Sequence, residues 1–405
     1  MQLPIVRVAL FYTAARKFYP MRPLPRNRAV CTGREDTCAR CQISKQAEMG
    51  QPTYLLLGPH NAHVREAIIQ ALEAANTPYL VRENVLALPT LRARVSGMTA
   101  AFLEHLPDAT TQDVHGVFFS GDLDDAASAL SAFVRAEPLT ALIERAKHDW
   151  VRDALEDNWL FSLFHPIIHA HTGEVFAHEA LIRARHPQTG ETIGAGPIIE
   201  ASIRLGLQHV LDQQARKAAI RNAAALRLPR TRLFINFMPN TIYDPEICLR
   251  TTMETALECD MDLSSLVFEV VETENIPDMK RLLTILDYYR SRGVGTAVDD
   301  MGAGFSSLEY LTALRPDYVK LDRDLVVRAE HSSSARQTLD LIVAQAKQLG
   351  ILVIAEGIET EGQMRLCQEA GADFMQGFLF ARPANPPETV RPLPQTACPA
   401  MRLAA

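Results

Sequence analysis

Two adjacent carboxylates, Asp299 and Asp300, stand where the short apolar run Thr296-Ala297-Val298 ends, and the turn Met301-Gly302-Ala303-Gly304 follows them. Neighbouring aspartates at a strand end repel each other, and a cation or a proton must absorb that repulsion. An aspartate N-cap with a spare neighbour is the plainer alternative. The same theme, a β-rich run closed by a polar residue, recurs at Glu179, Asn236, Glu269, Lys320, Glu356 and Gln376. Any one of these reads as a satisfied core residue; all of them together read as a site. Five carboxylates and an asparagine make an oxygen-rich pocket suited to Mg2+ or Mn2+, and the lack of cysteine or an obvious histidine in the set disfavours zinc. Such a pocket with a lysine in it suits two-metal hydrolysis of a phosphodiester. Lys320 would orient the attacking water, help to deprotonate it, or counter phosphate charge; spacing leaves all three open.

The elements that would position these residues follow from the periodicity. Strands are expected at 161–169, 175–183, 232–239, 266–272, 295–300, 318–322, 352–356 and 374–380, separated by helical stretches. His171-Thr172-Gly173-Glu174 between the first two is short enough for a hairpin, so the first strand should run antiparallel. The later connections are long enough for crossover helices. The fold class expected is α/β, a modified (β/α)8 TIM-like barrel with an antiparallel first strand, preceded by a small α/β N-terminal domain. In a barrel, the polar strand ends meet on one face.

The expected domain order is an irregular basic segment over 1–50, a small α/β regulatory domain over 51–138, a bridging helix over 139–159, the barrel over 160–390 and a tail over 391–405. Residues 1–50 hold nine Lys/Arg against three Asp/Glu. They also hold Cys31, Cys38 and Cys41, with His60 downstream, a set that would close a zinc or iron–sulfur site; free thiols are the alternative. Residues 51–138 carry neither a P-loop nor another nucleotide signature.

At 405 residues, 47% hydrophobic and 22% charged, the chain has the composition of a soluble globular protein of two domains. A net charge of −7 and the lack of a long apolar run give no reason to expect DNA or a membrane as partner. Seven cysteines in a chain this long do not look like a secreted disulfide framework, so a cytoplasmic location is expected.

Several of these strings resemble, in order, the motifs of the EAL family of cyclic-di-GMP phosphodiesterases. Glu179-Ala180-Leu181-Ile182-Arg183 is similar to EALLR, Ile235-Asn236-Phe237-Met238-Pro239 to VNLSP, and Phe268-Glu269-Val270-Val271-Glu272 to LEITE. The stretch 299–308 resembles DDFGTGYSSL, and Pro316–Asp322 resembles PDYIKID. Ala355–Glu359 is similar to AEGVE and Gln376–Phe380 to QGYLF. The resemblance covers roughly residues 155–383. It implies that Glu179, Asn236, Glu269, Asp299, Asp300 and Glu356 hold a metal pair, that Lys320 serves the water, and that Gln376 adds hydrogen bonds. It further implies that Glu272 braces the loop after Asp300, and that Arg183, Leu181 and His165 meet the ligand, with Arg183 on its phosphate. His165 stands where the family usually has glutamine, and Val271 where it usually has threonine. The implied function is hydrolysis of cyclic-di-GMP to linear pGpG, in a homodimer; a regulatory or dimerising role for the N-terminal domain is expected from its position alone. The alternative is a catalytically weak or inactive EAL receptor that binds the nucleotide or a protein partner; such receptors typically lose acidic motifs, and this chain keeps them.

Overall fold

The computed structural model describes residues 53–75, 77–82, 84–90, 106, 114–123, 125–228, 231–242, 244–271, 279–302 and 307–393. Its contacts divide the chain into two units, Met1–Trp150 and Val151–Ala405. No helix among the described residues is long and apolar enough to cross a membrane.

In the first unit, β1 (Thr53–Pro59), β2 (Leu80–Arg82), β3 (Val85–Thr90), β4 (Val114–Ser120) and β5 (Glu137–Pro138) form one sheet in the order β2-β3-β1-β4-β5. Every pairing in it is antiparallel. The helix Ala62–Ala74 starts at Asn61, whose side chain accepts the Val64 N–H at 2.9 Å. It buries Val64, Ile68, Ala71 and Leu72 in a core shared with Leu55, Leu57, Leu86 and Leu88. The single helix expected over 139–159 is two, Leu139–His148 and Trp150–Glu156. Residues 91–105, whose apolar spacing is helical, lie outside the described residues.

In the second unit, the strands are β6 (Leu160–His169), β7 (Val175–Arg185), β8 (Thr192–Ile193), β9 (Arg232–Asn236), β10 (Leu266–Val271), β11 (Gly295–Met301), β12 (Tyr318–Leu321), β13 (Leu352–Ala355) and β14 (Phe374–Met375). The order β6-β14-β13-β12-β11-β10-β9-β7 closes through the pairing of β6 with β7, which makes an eight-stranded barrel with β8 appended. Strand β6 is antiparallel to both neighbours, as the hairpin required, and the other barrel pairings are parallel. Gly173, at φ 75°, supplies the left-handed turn, and its N–H donates to His169 O at 3.0 Å.

Side chains alternate across a strand, so every second residue enters the barrel. Ile167, Ala177, Phe234, Val267, Ala297, Tyr318, Ile354 and Phe374, one from each strand, form an apolar interior cluster. Phe176 stacks on Phe374 at 3.8 Å between centroids beside it, with the Arg232 guanidinium 5.2 Å from the Phe176 ring. Around the barrel, a second apolar layer joins the outer strand faces to the helices; there Phe164, Leu233, Phe268 and Val298 meet Ile220, Ile285 and Leu339.

Strand β14 is shorter than the expected 374–380. Its chain turns at Gly377 because it passes over the β13 loop, where Ile358 N–H donates to Gln376 O and Leu379 N–H to Ile358 O, both at 3.0 Å. A Cβ on Gly377 would lie 2.1 Å from Ile358 O, so only glycine fits this crossing.

Candidate active site

Two residues beyond each apolar interior position, toward the C-terminal end of the parallel strands, stands a polar one: Glu179, Asn236, Glu269, Asp299, Lys320, Glu356 and Gln376. On the reversed strand β6 the count runs backwards, from Ile167 to His165, which faces Glu179 across the β6–β7 pairing. The structure thus brings the strand-end residues together and adds His165 as the eighth. That residue follows the same period of two once the strand is read in reverse. Reading the strand ends by residue type alone passes over it.

Lys320 is the centre. Its Nζ lies 3.3 Å from Glu179 Oε1, 3.0 Å from Glu269 Oε1, 3.2 Å from Asp299 Oδ1 and 2.6 Å from Glu356 Oε1. The side chain is 1% exposed. Burial alone would lower its pKa, but the surrounding carboxylates push it well above the ordinary value, so the ammonium stays charged. Gln376 Nε2 donates to Glu179 Oε2 at 2.8 Å, and Asn236 Nδ2 reaches Glu179 Oε1 at 3.4 Å.

The carboxylates differ among themselves. Burial pushes Glu179 up, but Lys320 and the Gln376 amide outweigh it and hold its carboxyl below the usual range. Burial raises Glu269 and Glu356 well above that range against the pull of Lys320, and their carboxylate neighbours add to the rise. Burial likewise raises Asp299. Glu269 is fully buried, and among the described residues no group donates a hydrogen bond to either of its oxygens, although Lys320 lies beside it. Gln376 Oε1 is also buried without a donor.

Adjacent residues on a regular strand point to opposite faces, yet Asp299 and Asp300 serve the same mouth. A register shift between Val298 and Met301 and a left-handed Asp300, at φ 58°, re-aim the second carboxylate. The Asp300 N–H donates to Asp299 Oδ1 at 3.0 Å. Burial, then the Asp299 charge, push Asp300 up to about 6. Ligand atoms of Glu179, Glu269 and Asp299 lie within 4.8 Å of one another, as do those of Asp299, Asp300 and Glu356. Two clusters sharing Asp299, with the buried Glu269 oxygens lacking a donor among the described residues, are a donor set that fits a pair of hard divalent cations.

The ligand-contacting candidates sit around this mouth. Leu181 and Arg183 follow Glu179 on β7, both half-buried, and Arg183 donates to Ile182 O at 2.7 Å. His165 is buried, which lowers its pKa, and its Nε2 lies 3.1 Å from Ala381 O. Its ring centroid is 5.9 Å from that of Phe378, over which the Arg382 guanidinium stacks. Glu272, Cys31, Cys38 and Cys41 lie outside the described residues. His60 is exposed, its ring edge-on to His115 with centroids 5.5 Å apart.

The family model that matches is "EAL domain", over residues 148–383. The cyclic di-GMP phosphodiesterase NbdA of Pseudomonas aeruginosa is 31% identical over 258 residues, 62% of this chain and 32% of NbdA. The chain spans about a third of the length of curated relatives such as this one. The solved PaMucR phosphodiesterase–c-di-GMP complex is 30% identical, with a TM-score of 0.53, over 58% of this chain and 96% of that one. The c-di-GMP-bound standalone EAL protein of Vibrio cholerae O395 is 32% identical, with a TM-score of 0.51, over 57% and 95%. With its model matched over more than half of the length and its motifs gathered at one barrel mouth, the chain belongs to the EAL domain family.

Proposed function

We propose that the barrel hydrolyses one phosphodiester bond of cyclic-di-GMP, releasing linear pGpG. The observation that carries this reading is the convergence of four carboxylates on Lys320, with Asp300 beside Asp299 and both Glu269 oxygens buried. The phosphodiesterase activity named for NbdA and the nucleotide in the PaMucR complex supply the substrate class.

Glu179, Asn236, Glu269, Asp299, Asp300 and Glu356 would hold Mg2+ or Mn2+. When bound, the cations supply positive charge for the phosphate oxygens and lower the pKa of an attacking water. Lys320, held charged by the metal-free carboxylate cage, is placed to orient the attacking water and to stabilise negative charge on the phosphate. Gln376 fixes Glu179 through its amide N–H and leaves Oε1 free to accept from a water. Arg183 offers its guanidinium to a phosphate, a match of planar donors to paired oxygens. His165, kept neutral by burial, donates from Nε2 to Ala381 O and orients the ring at the mouth. The family resemblance further supports, as parts of this proposal, a bracing role for Glu272 and action as a homodimer, and the position of the first unit supports a regulatory role for it.

Chromatography of cyclic-di-GMP incubated with the purified chain and Mn2+ tests the reading. Accumulation of pGpG is expected, abolished in Glu179→Ala with the metal-free Tm nearly unchanged. Unconverted nucleotide with the wild type, or full turnover by Glu179→Ala, would contradict it.

A further inference from the structure

Asp212 and Arg216 are buried charged residues that the chemistry above does not use. They lie one turn apart on the helix Gln208–Ala225 and are 4% and 1% exposed. They pair with each other, and Arg216 Nε donates to Thr252 Oγ1 at 3.1 Å. The remaining capacity of Asp212 goes to one loop: Oδ1 accepts the Met238 N–H at 2.9 Å, and Oδ2 lies 3.0 Å from Thr241 Oγ1. Thr241 Oγ1 also lies 2.7 Å from Met238 O, and Arg281 donates to Ile242 O at 2.9 Å from the loop's far end.

This loop begins at Asn236, the last residue of β9. Asn236 is exposed and reaches Glu179 only at 3.4 Å, so its aim depends on the backbone that follows. Phe237 N–H is held by Glu269 O at 3.1 Å, and the next N–H, that of Met238, by Asp212. A carboxylate on a backbone N–H is a strong anchor, and here Arg216 compensates its buried charge.

We propose that Asp212 is a positioning residue for Asn236: with Arg216 as counter-ion, it locks the backbone of 238–241 so that the asparagine amide points at the carboxylate cluster. The inference rests on the metal-binding reading of that cluster. Residues that orient a metal ligand typically affect affinity by about 10–100-fold.

The test compares two double variants by the Mn2+ dependence of Tm on the full chain, with cyclic-di-GMP turnover measured in parallel. Asp212→Leu/Arg216→Met removes the anchor and the buried charge together, a replacement that a fold tolerates. Asp212→Asn/Arg216→Met keeps an acceptor for Met238 N–H. The first should raise the Mn2+ concentration at the midpoint of the Tm shift by about tenfold or more; the second should restore it to near the wild-type value. Equal midpoints for wild type and both variants, or equal losses in both variants, would overturn the proposal. So would a wild type whose Tm does not respond to Mn2+. A wild type that binds Mn2+ but leaves cyclic-di-GMP intact would sink the proposed activity and leave the positioning role standing on the midpoints. If the leucine variant does not fold, Thr241→Val carries the test, with a rise of about threefold or more expected and no rise counting against the proposal.

Discussion

Phe374 and Gln376 sit two residues apart on one strand path, and so do Tyr318 and Lys320, Val267 and Glu269, and Ala297 and Asp299. The first member of each pair belongs to the apolar interior cluster, where burial and aromatic stacking stabilise the fold. The second member is also buried but works against folding: four carboxylates share one ammonium, and neither Glu269 oxygen has a donor in hydrogen-bond geometry among the described residues. The barrel thus keeps its stability and its chemistry in adjacent rings of the same strands. The apolar ring fixes the positions from which the polar ring projects, and the polar ring is strained until something cationic arrives.

The largest separation of the two rings should come from Glu269→Gln. Turnover should fall by about a thousandfold, ~4 kcal/mol of transition-state stabilisation, because a metal ligand is lost. The metal-free protein should meanwhile gain about 1–2 kcal/mol, as an unsatisfied acidic group leaves a crowded site. Steady-state kinetics with Mn2+ and thermal unfolding in EDTA check the two halves. A variant that loses both activity and stability would show that Glu269 supports the fold.

Phe374→Ala is the converse. Losing a buried aromatic should cost about 3–5 kcal/mol, read as a lower urea midpoint. The kcat of the protein that remains folded should stay within about tenfold of the wild type, because the ring belongs to the apolar layer and not to the carboxylate cluster. A kcat lost in proportion to stability would merge the two rings into one unit.

A smaller effect is expected from pH. Asp300 binds its proton more tightly in the fold than in the unfolded chain, with its pKa raised from 3.8 to about 6. Its contribution to metal-free stability is complete below the unfolded value and is lost as pH rises through about 6. The Tm in EDTA should therefore fall as pH rises from about 4 to about 6, and Asp300→Asn should flatten that slope. An unchanged slope in the variant would assign the titration to another group.

Much of this arrangement is legible in residue types and spacing. The β-rich runs closed by Glu179, Glu269, Asp299 and Glu356 mark the barrel strands, because an acidic residue ending an apolar run has few other uses. The short His171–Glu174 connection marks the reversed strand. His165 is hidden from that reading because its strand runs backwards, which puts the polar residue before the apolar one. The end of β14 is hidden because Gly377 turns the chain over Ile358, a contact between loops distant in sequence. The break after His148 escapes the helical stripe, which continues in phase into Trp150–Glu156. Asp212 and Arg216 do leave a trace, two charges on the apolar face with Leu211, Ala219 and Ile220, but only the fold shows that the loop after Asn236 is what they hold.

Calorimetric titration of Mn2+ into the metal-free wild type and Glu269→Gln tests the central claim, that the polar ring is built to be completed by cations. The account predicts about two equivalents bound per wild-type chain, with at least one lost in the variant. A wild type that binds no Mn2+, or a variant that binds it as fully and as tightly as the wild type, would contradict it.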